Sequence, residues 1–231
     1  MCYSEKQSRV SFFINIITCY VLYTYNNSST YKILALFFGF VGLMQLFDIV
    51  FWNNLNIKDS KQANINYITT KIAMFANHLQ PIVLAYLIYI FKGSLGQLSK
   101  YILPIYIIVI ILYTFNIFDK ISYTQVNNLS VRNINDLFSP NSQDDIIRPS
   151  LKWDWNTQEY NGPVYLIFLL TLVILSYENF KHPFNIIMVF INLFTFILSA
   201  YFYKGQSIGR FWCKFAAWIP LLFILINKVI K

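Results

Sequence analysis

Apolar residues along this chain gather into long runs parted by short polar breaks, and the runs are apolar on every side rather than striped. From Tyr31 to Trp52 the only strongly polar residues are Lys32, Gln45 and Asp48. A hydrocarbon core about 30 Å thick is crossed by roughly 20 such residues in a helix, whereas a helix on a soluble globule keeps one polar face. The runs therefore predict transmembrane helices over 10–25, 31–52, 67–91, 101–118, 163–177, 183–203 and 210–227. Pro81 interrupts the third. Pro163 and Pro183 open the fifth and sixth, where a missing N–H costs little. The polar segment 119–162 is too long for a turn and predicts an extramembrane loop between helices four and five.

The fold class that follows is all-α: a polytopic transmembrane helix bundle of about seven helices, with 1–231 forming a single transmembrane domain. Helices one and five are short, which leaves a six-helix count open. The first run follows Lys6 and Arg9, as an apolar segment does in a signal peptide, but the cluster from Asn26 to Thr30 is a poor cleavage site. The run is read as a retained first helix.

Composition agrees with the pattern. Of 231 residues, 57% are hydrophobic and 12% charged, against about 25% charged in a soluble domain. The net charge of +8 does not imply a nucleic-acid partner, because basic residues stand singly at the ends of apolar runs, as at Lys32, Lys92, Lys100, Lys204 and Lys228. That placement suits lipid head groups and snorkelling. Cys2, Cys19 and Cys213 have no CxxC spacing, so neither a disulfide framework nor a zinc site is expected.

An odd helix count puts the N-terminus on one face, side A, together with the loops at 53–66, 119–162 and 204–209. Side B then holds 26–30, 92–100, 178–182 and the C-terminal tail. Lysine and arginine are more frequent near the side-A helix ends, including Lys6, Arg9, Lys58, Lys61 and Lys71. This bias favours side A in the cytoplasm.

Ionisable groups inside membrane helices are functional candidates. Gln45, Asp48 and Trp52 share one face of helix two by their spacing. Asn77, His78, Gln80 and Pro81 lie mid-way along helix three, and Pro81 can leave a carbonyl of the preceding turn without its helix partner. Arg210 and Lys214 open helix seven. Asp48 and Lys214 fall at similar depth near side A, so an ion pair between them would lower the cost of burying either. Together, Gln45, Asp48, Asn77, His78, Gln80, Arg210 and Lys214 outline a polar cavity opening to side A. Trp153, Asp154 and Trp155, in the long side-A loop, are placed to cover its mouth as a lid. The plainer alternatives are structural: snorkelling charges, a hydrogen-bonded bundle histidine, and interhelical glue at Asn77, Asn185 and Asn192.

Enzyme signatures are absent. The chain has two histidines, His78 and His182, and no HExxH, GxSxG, P-loop or GxGxxG. No metal and no cofactor is expected, and a non-enzyme is favoured. The expected function is to bind or pass a small solute, ion or lipid, with the lipid bilayer as the partner. A structural or interaction protein of a membrane or viral envelope is the first alternative, and a membrane-embedded lipid enzyme the second. The runs Met44-Gln45-Leu46-Phe47-Asp48 through Trp52, Asn77-His78-Leu79-Gln80-Pro81 and Gly209-Arg210-Phe211-Trp212-Cys213 resemble uncharacterised small multi-pass membrane proteins of giant DNA viruses and some protists. The resemblance implies residence in a host-cell or virion membrane. It carries over no catalytic residue.

Overall fold

In hydrocarbon every backbone N–H and C=O must be satisfied within the chain, so long apolar segments become helices. The computed structural model describes residues 4–25, 27–131, 146–202, 212 and 215–230. Among the described residues there are seven α-helices: α1 (Glu5–Tyr25), α2 (Ser29–Trp52), α3 (Ser60–Lys92), α4 (Gln97–Ile117), α5 (Asn161–Asn179), α6 (Phe184–Phe202) and α7 (Ile219–Ile230). Five of them, α2 through α6, are long and apolar enough to cross a membrane. The outer surface of the bundle is itself apolar, with Phe115 78% exposed and Phe190 and Ile197 similarly open. A soluble monomer does not leave so much apolar surface bare, whereas lipid covers it. The chain is a multi-pass integral membrane protein.

The helices outrun the apolar segments because polar residues cap them. Asp59 Oδ1 accepts from the backbone N–H groups of Lys61 at 2.9 Å and Gln62 at 3.4 Å, starting α3 at Ser60 rather than at Tyr67. Gly93 ends α3 at φ 79°, a left-handed conformation that glycine adopts without cost. Ser28 Oγ accepts from Thr30 N at 3.3 Å to open α2. α1 begins at Glu5, whose carboxylate pairs with Arg9 and accepts from Asn53 Nδ2 at 3.0 Å, joining the side-A ends of α1 and α2. α3 runs unbroken through Pro81, contrary to the expected interruption. The seventh helix was expected from 210; residues 210, 211, 213 and 214 lie outside the described residues, Trp212, Phe215 and Ala216 are helical, and a turn at Ala217 and Trp218 precedes Ile219. Pro220 sits in the first turn of α7, where proline needs no donor.

α2 is the central helix, with α1 along one side, α3 along another and α7 against both α1 and α2. α5 packs on α4, α6 and α3. α1 is built inside out: Ser8, Ser11, Asn15 and Thr18 are buried, while Phe13, Ile17 and Tyr20 face outward. Small and polar residues at a helix contact are the rule in membranes, where apolar packing alone gives no driving force over lipid.

The side-A segment between α4 and α5 contains a hairpin. Strand β1 (Gln125–Val131) pairs antiparallel with β2 (Ile146–Lys152), with Gln125 opposite Lys152 and Val126 opposite Leu151. Residues 132–145 between the strands lie outside the description. A short 3-10 helix, Asp154–Thr157, follows β2 and leads to α5.

Candidate functional site

Hydrogen bonds from helix side chains seat the hairpin on the bundle. Asn66 of α3 pairs with Thr124 in both directions: its Nδ2 donates to Thr124 O at 3.0 Å and its Oδ1 accepts from Thr124 N at 2.9 Å. The Thr70 and Thr124 hydroxyls lie 3.1 Å apart. Beyond β2 the chain descends into the bundle. Trp153 and Trp155 are both buried, their rings stacked at 4.8 Å and 22°. Trp153 Nε1 donates to Asp48 Oδ1 at 3.0 Å, Tyr113 Oη donates to Trp155 O at 3.2 Å, and Asp154 Oδ2 accepts from Ser122 N at 2.7 Å. Asp154 is half-buried at the rim.

The mid-helix polar residues join this arrangement one by one. Asn77 Nδ2 donates to Tyr165 Oη at 2.8 Å, and Tyr165 Oη donates to Asn156 Oδ1 at 2.7 Å, so a chain of bonds runs from the middle of α3 through α5 to the 3-10 helix. Gln80 Oε1 accepts from Trp212 Nε1 at 2.9 Å. Gln45 is buried on α2, one turn from Asp48. Gln45, Asp48, Asn77, His78 and Gln80 are thus all interior. Trp153 meets Asp48, while Gln80 faces a different segment of the chain. Arg210 and Lys214 lie outside the described residues, and with them the expected Asp48–Lys214 pair.

His78 is unlike its neighbours. It is buried, with its ring 5.7 Å from that of Tyr113 and 6.1 Å from that of Tyr165. Its backbone carbonyl accepts from Tyr106 Oη at 2.6 Å, tying α3 to the middle of α4. Among the described residues, neither Nδ1 nor Nε2 has a hydrogen-bond partner. A neutral imidazole offers one donor and one acceptor, and leaving either unsatisfied in an apolar interior costs about 1–3 kcal/mol.

His78 lines a cleft of about 600 Å³ between α3 and α4. Phe75, His78, Leu79 and Ile82 form its α3 wall, at spacings that stack them on one helix face. The α4 wall includes Ile107, Ile111 and Phe115. Among the described residues, the polar ones lining it are His78 and Thr114. Phe75, Leu79, Ile111 and Phe115 are also exposed on the outer surface, so the cleft opens sideways, toward lipid, rather than toward either aqueous face. Toward side A, Lys71 Nζ lies 3.9 Å over the ring of Phe118, which also lines the cleft. Of the candidate cavity residues that are described, His78 is the one that lines this cleft.

Sequence reasoning did not find the α4 wall, Tyr106, Tyr113, Tyr165 or Asn156. A weak signal existed in Tyr106 and Tyr113, spaced by seven on one face of α4. Among the described residues no group of three His, Cys, Asp or Glu side chains is placed to hold a metal ion. Comparison of the chain with models of known protein families, with curated proteins and with solved structures finds no match.

Proposed function

We propose that this membrane protein binds a lipid or another membrane-dissolved small molecule in the cleft between α3 and α4. The observation that carries the reading is His78: a buried imidazole on the wall of an apolar, laterally open cleft, with both ring nitrogens unpartnered among the described residues. The cleft volume falls within the roughly 300–1,000 Å³ of small-molecule sites, which combine mainly apolar walls with a few placed polar groups. The lining favours a lipid-phase ligand over an ion or polar solute, because among the described residues it offers no cluster of oxygens to replace a hydration shell. At the side-A mouth, the Trp153–Asp48 bond and the stacked indoles support a plug that shields the bundle interior from water. The ligand then reaches its site from the bilayer.

Ile111→Trp fills the cleft from its α4 wall and is the test. Native mass spectrometry of the full chain extracted from membranes is expected to show a retained small molecule in the wild type and its loss in Ile111→Trp. Equal retention by both, or a bare wild type that stays bare when lipid is added, contradicts a ligand site. That result favours a structural or interaction role.

A further inference from the structure

We infer that the ligand is an uncharged lipid that brings a small polar group, a hydroxyl or a carbonyl, to His78 near the middle of the bilayer; this rests on the ligand-binding reading above. Depth is the first reason. At 1.5 Å per residue, His78 is about 27 Å along α3 from Ser60 and about 21 Å from Lys92. The Tyr106–His78 bond sets it level with the middle of α4, whose ends at Gln97 and Ile117 are about 14 and 17 Å from Tyr106. A phosphate or carboxylate head group held there would lie far from water, at a cost of several kcal/mol unless paired. Among the described residues, the cleft lining holds no cation to pair it.

The nearest cation on the same stripe of α3 is Lys71, seven residues and about 10 Å nearer side A. Its ammonium rests over the rings of Tyr67 and Phe118, at 4.4 and 3.9 Å. An anionic lipid can place its head group at that rim. Only a hydrocarbon chain would then reach His78, and the two ring nitrogens would stay unsatisfied. A hydroxyl or carbonyl arriving at His78 itself removes that penalty. A hydroxyl pairs with either nitrogen, and a carbonyl oxygen accepts from the protonated one.

Shape is the second reason. The walls are isoleucine, leucine and phenylalanine, with flat Phe75 and Phe115 on opposite helices. They suit a rigid or planar ring system, and the lateral opening leaves room for a tail in the surrounding lipid. Sterols supply this chemistry with a hydroxyl and isoprenoid quinones with a carbonyl.

The test uses the full chain in nanodiscs, loaded in turn with cholesterol, cholestane (the same ring system without the hydroxyl), ubiquinone-2 and phosphatidylglycerol, and read by native mass spectrometry. Either cholesterol or ubiquinone-2 is expected to bind at one per chain and to be lost in Ile111→Trp. His78→Phe is expected to weaken it about tenfold, the factor that about 1.4 kcal/mol corresponds to. His78→Gln, which keeps a donor and an acceptor, restores most of the binding. If the ligand is the sterol, cholestane binds the wild type about tenfold more weakly, a comparison that needs no folded variant. Cholestane bound as well as cholesterol with ubiquinone-2 unbound, or neutral-lipid binding unchanged by His78→Phe, overturns the inference while leaving a cleft ligand in place. Phosphatidylglycerol as the sole lipid sensitive to Ile111→Trp overturns it in favour of the Lys71 rim. If no lipid responds to Ile111→Trp, the ligand-binding reading itself fails.

Discussion

Replacing Gly42 by alanine places a methyl group where α1 crosses α2. A Cβ at Gly42 would overlap Asn15 Oδ1 and stand 2.6 Å from Asn15 Cγ. Asn15 is fully buried and has no solvent to swing into. Its Nδ2 donates to Phe38 O at 3.2 Å and to Ala216 O at 3.3 Å, so this one amide ties α1 to α2 and to the segment leading into α7. The methyl group must expel the amide or separate the helices. Overpacking costs about 1–3 kcal/mol. Two interhelical hydrogen bonds in a membrane add roughly 0.6 kcal/mol each. Gly42→Ala is therefore expected to destabilise the protein by about 2–4 kcal/mol, and Asn15→Ala by about 1–2 kcal/mol from its lost bonds. Asn15→Ala also vacates the space that the new methyl group needs, so the double variant should be little worse than Asn15→Ala alone. Equilibrium unfolding of all four proteins in mixed micelles, followed by circular dichroism, gives the cycle. Additive losses, with no rescue in the double variant, would refute the close approach of Gly42 and Asn15.

Trp153→Phe keeps an aromatic ring against Trp155 but deletes the N–H that meets Asp48. It is expected to cost about 1–3 kcal/mol and to speed amide exchange along Gln125–Val131, and unchanged exchange would argue against the indole as the hairpin's anchor. Glu178, at the end of α5, accepts from Leu98 N at 2.9 Å and Ser99 N at 2.7 Å and so caps α4. Glu178→Ala should lower stability by about 1–2 kcal/mol, and Glu178→Gln, which keeps an acceptor but loses the charge, by about 0.3–1 kcal/mol; equal losses would show that acceptor geometry contributes nothing. The backbone N–H groups of Gln62 and Lys61 hold the Asp59 carboxyl below the ordinary aspartate range. Its capping contribution is thus fully present above the ordinary aspartate pKa and is lost as pH falls through the lowered folded value. Protection of the amides at the start of α3, relative to their intrinsic exchange at each pH, should fall over that acid window in the wild type and show no such step in Asp59→Asn.

The helix positions were legible because the apolar runs are long and punctuated. α2, α4, α5 and α6 begin and end within a few residues of them. The first two turns of α3 were not legible, since Lys61, Gln62 and Asn66 read as loop until Asp59 is recognised as a cap. The buried stripe of α1 was hidden for a related reason. Ser8, Ser11, Asn15 and Thr18 look like weak polarity in a greasy run, and only packing against α2 gives them a common face. Asp48, Asn77, His78 and Gln80, singled out as polar residues inside apolar runs, are buried in the bundle. Their partners were beyond reach, because Trp153 is 105 positions from Asp48 and Trp212 is 132 from Gln80. The cleft was least legible of all. It depends on how α3 and α4 part beside the Tyr106–His78 contact, which no local pattern encodes.

An experimental density map of the full chain in native-lipid nanodiscs would show what the cleft holds. Non-protein density is expected between α3 and α4, within hydrogen-bonding distance of a His78 ring nitrogen and continuous with the surrounding lipid past Ile111 and Phe115. A cleft closed by Phe75 and Phe115, with His78 bonded to another side chain of the protein, would contradict a ligand site.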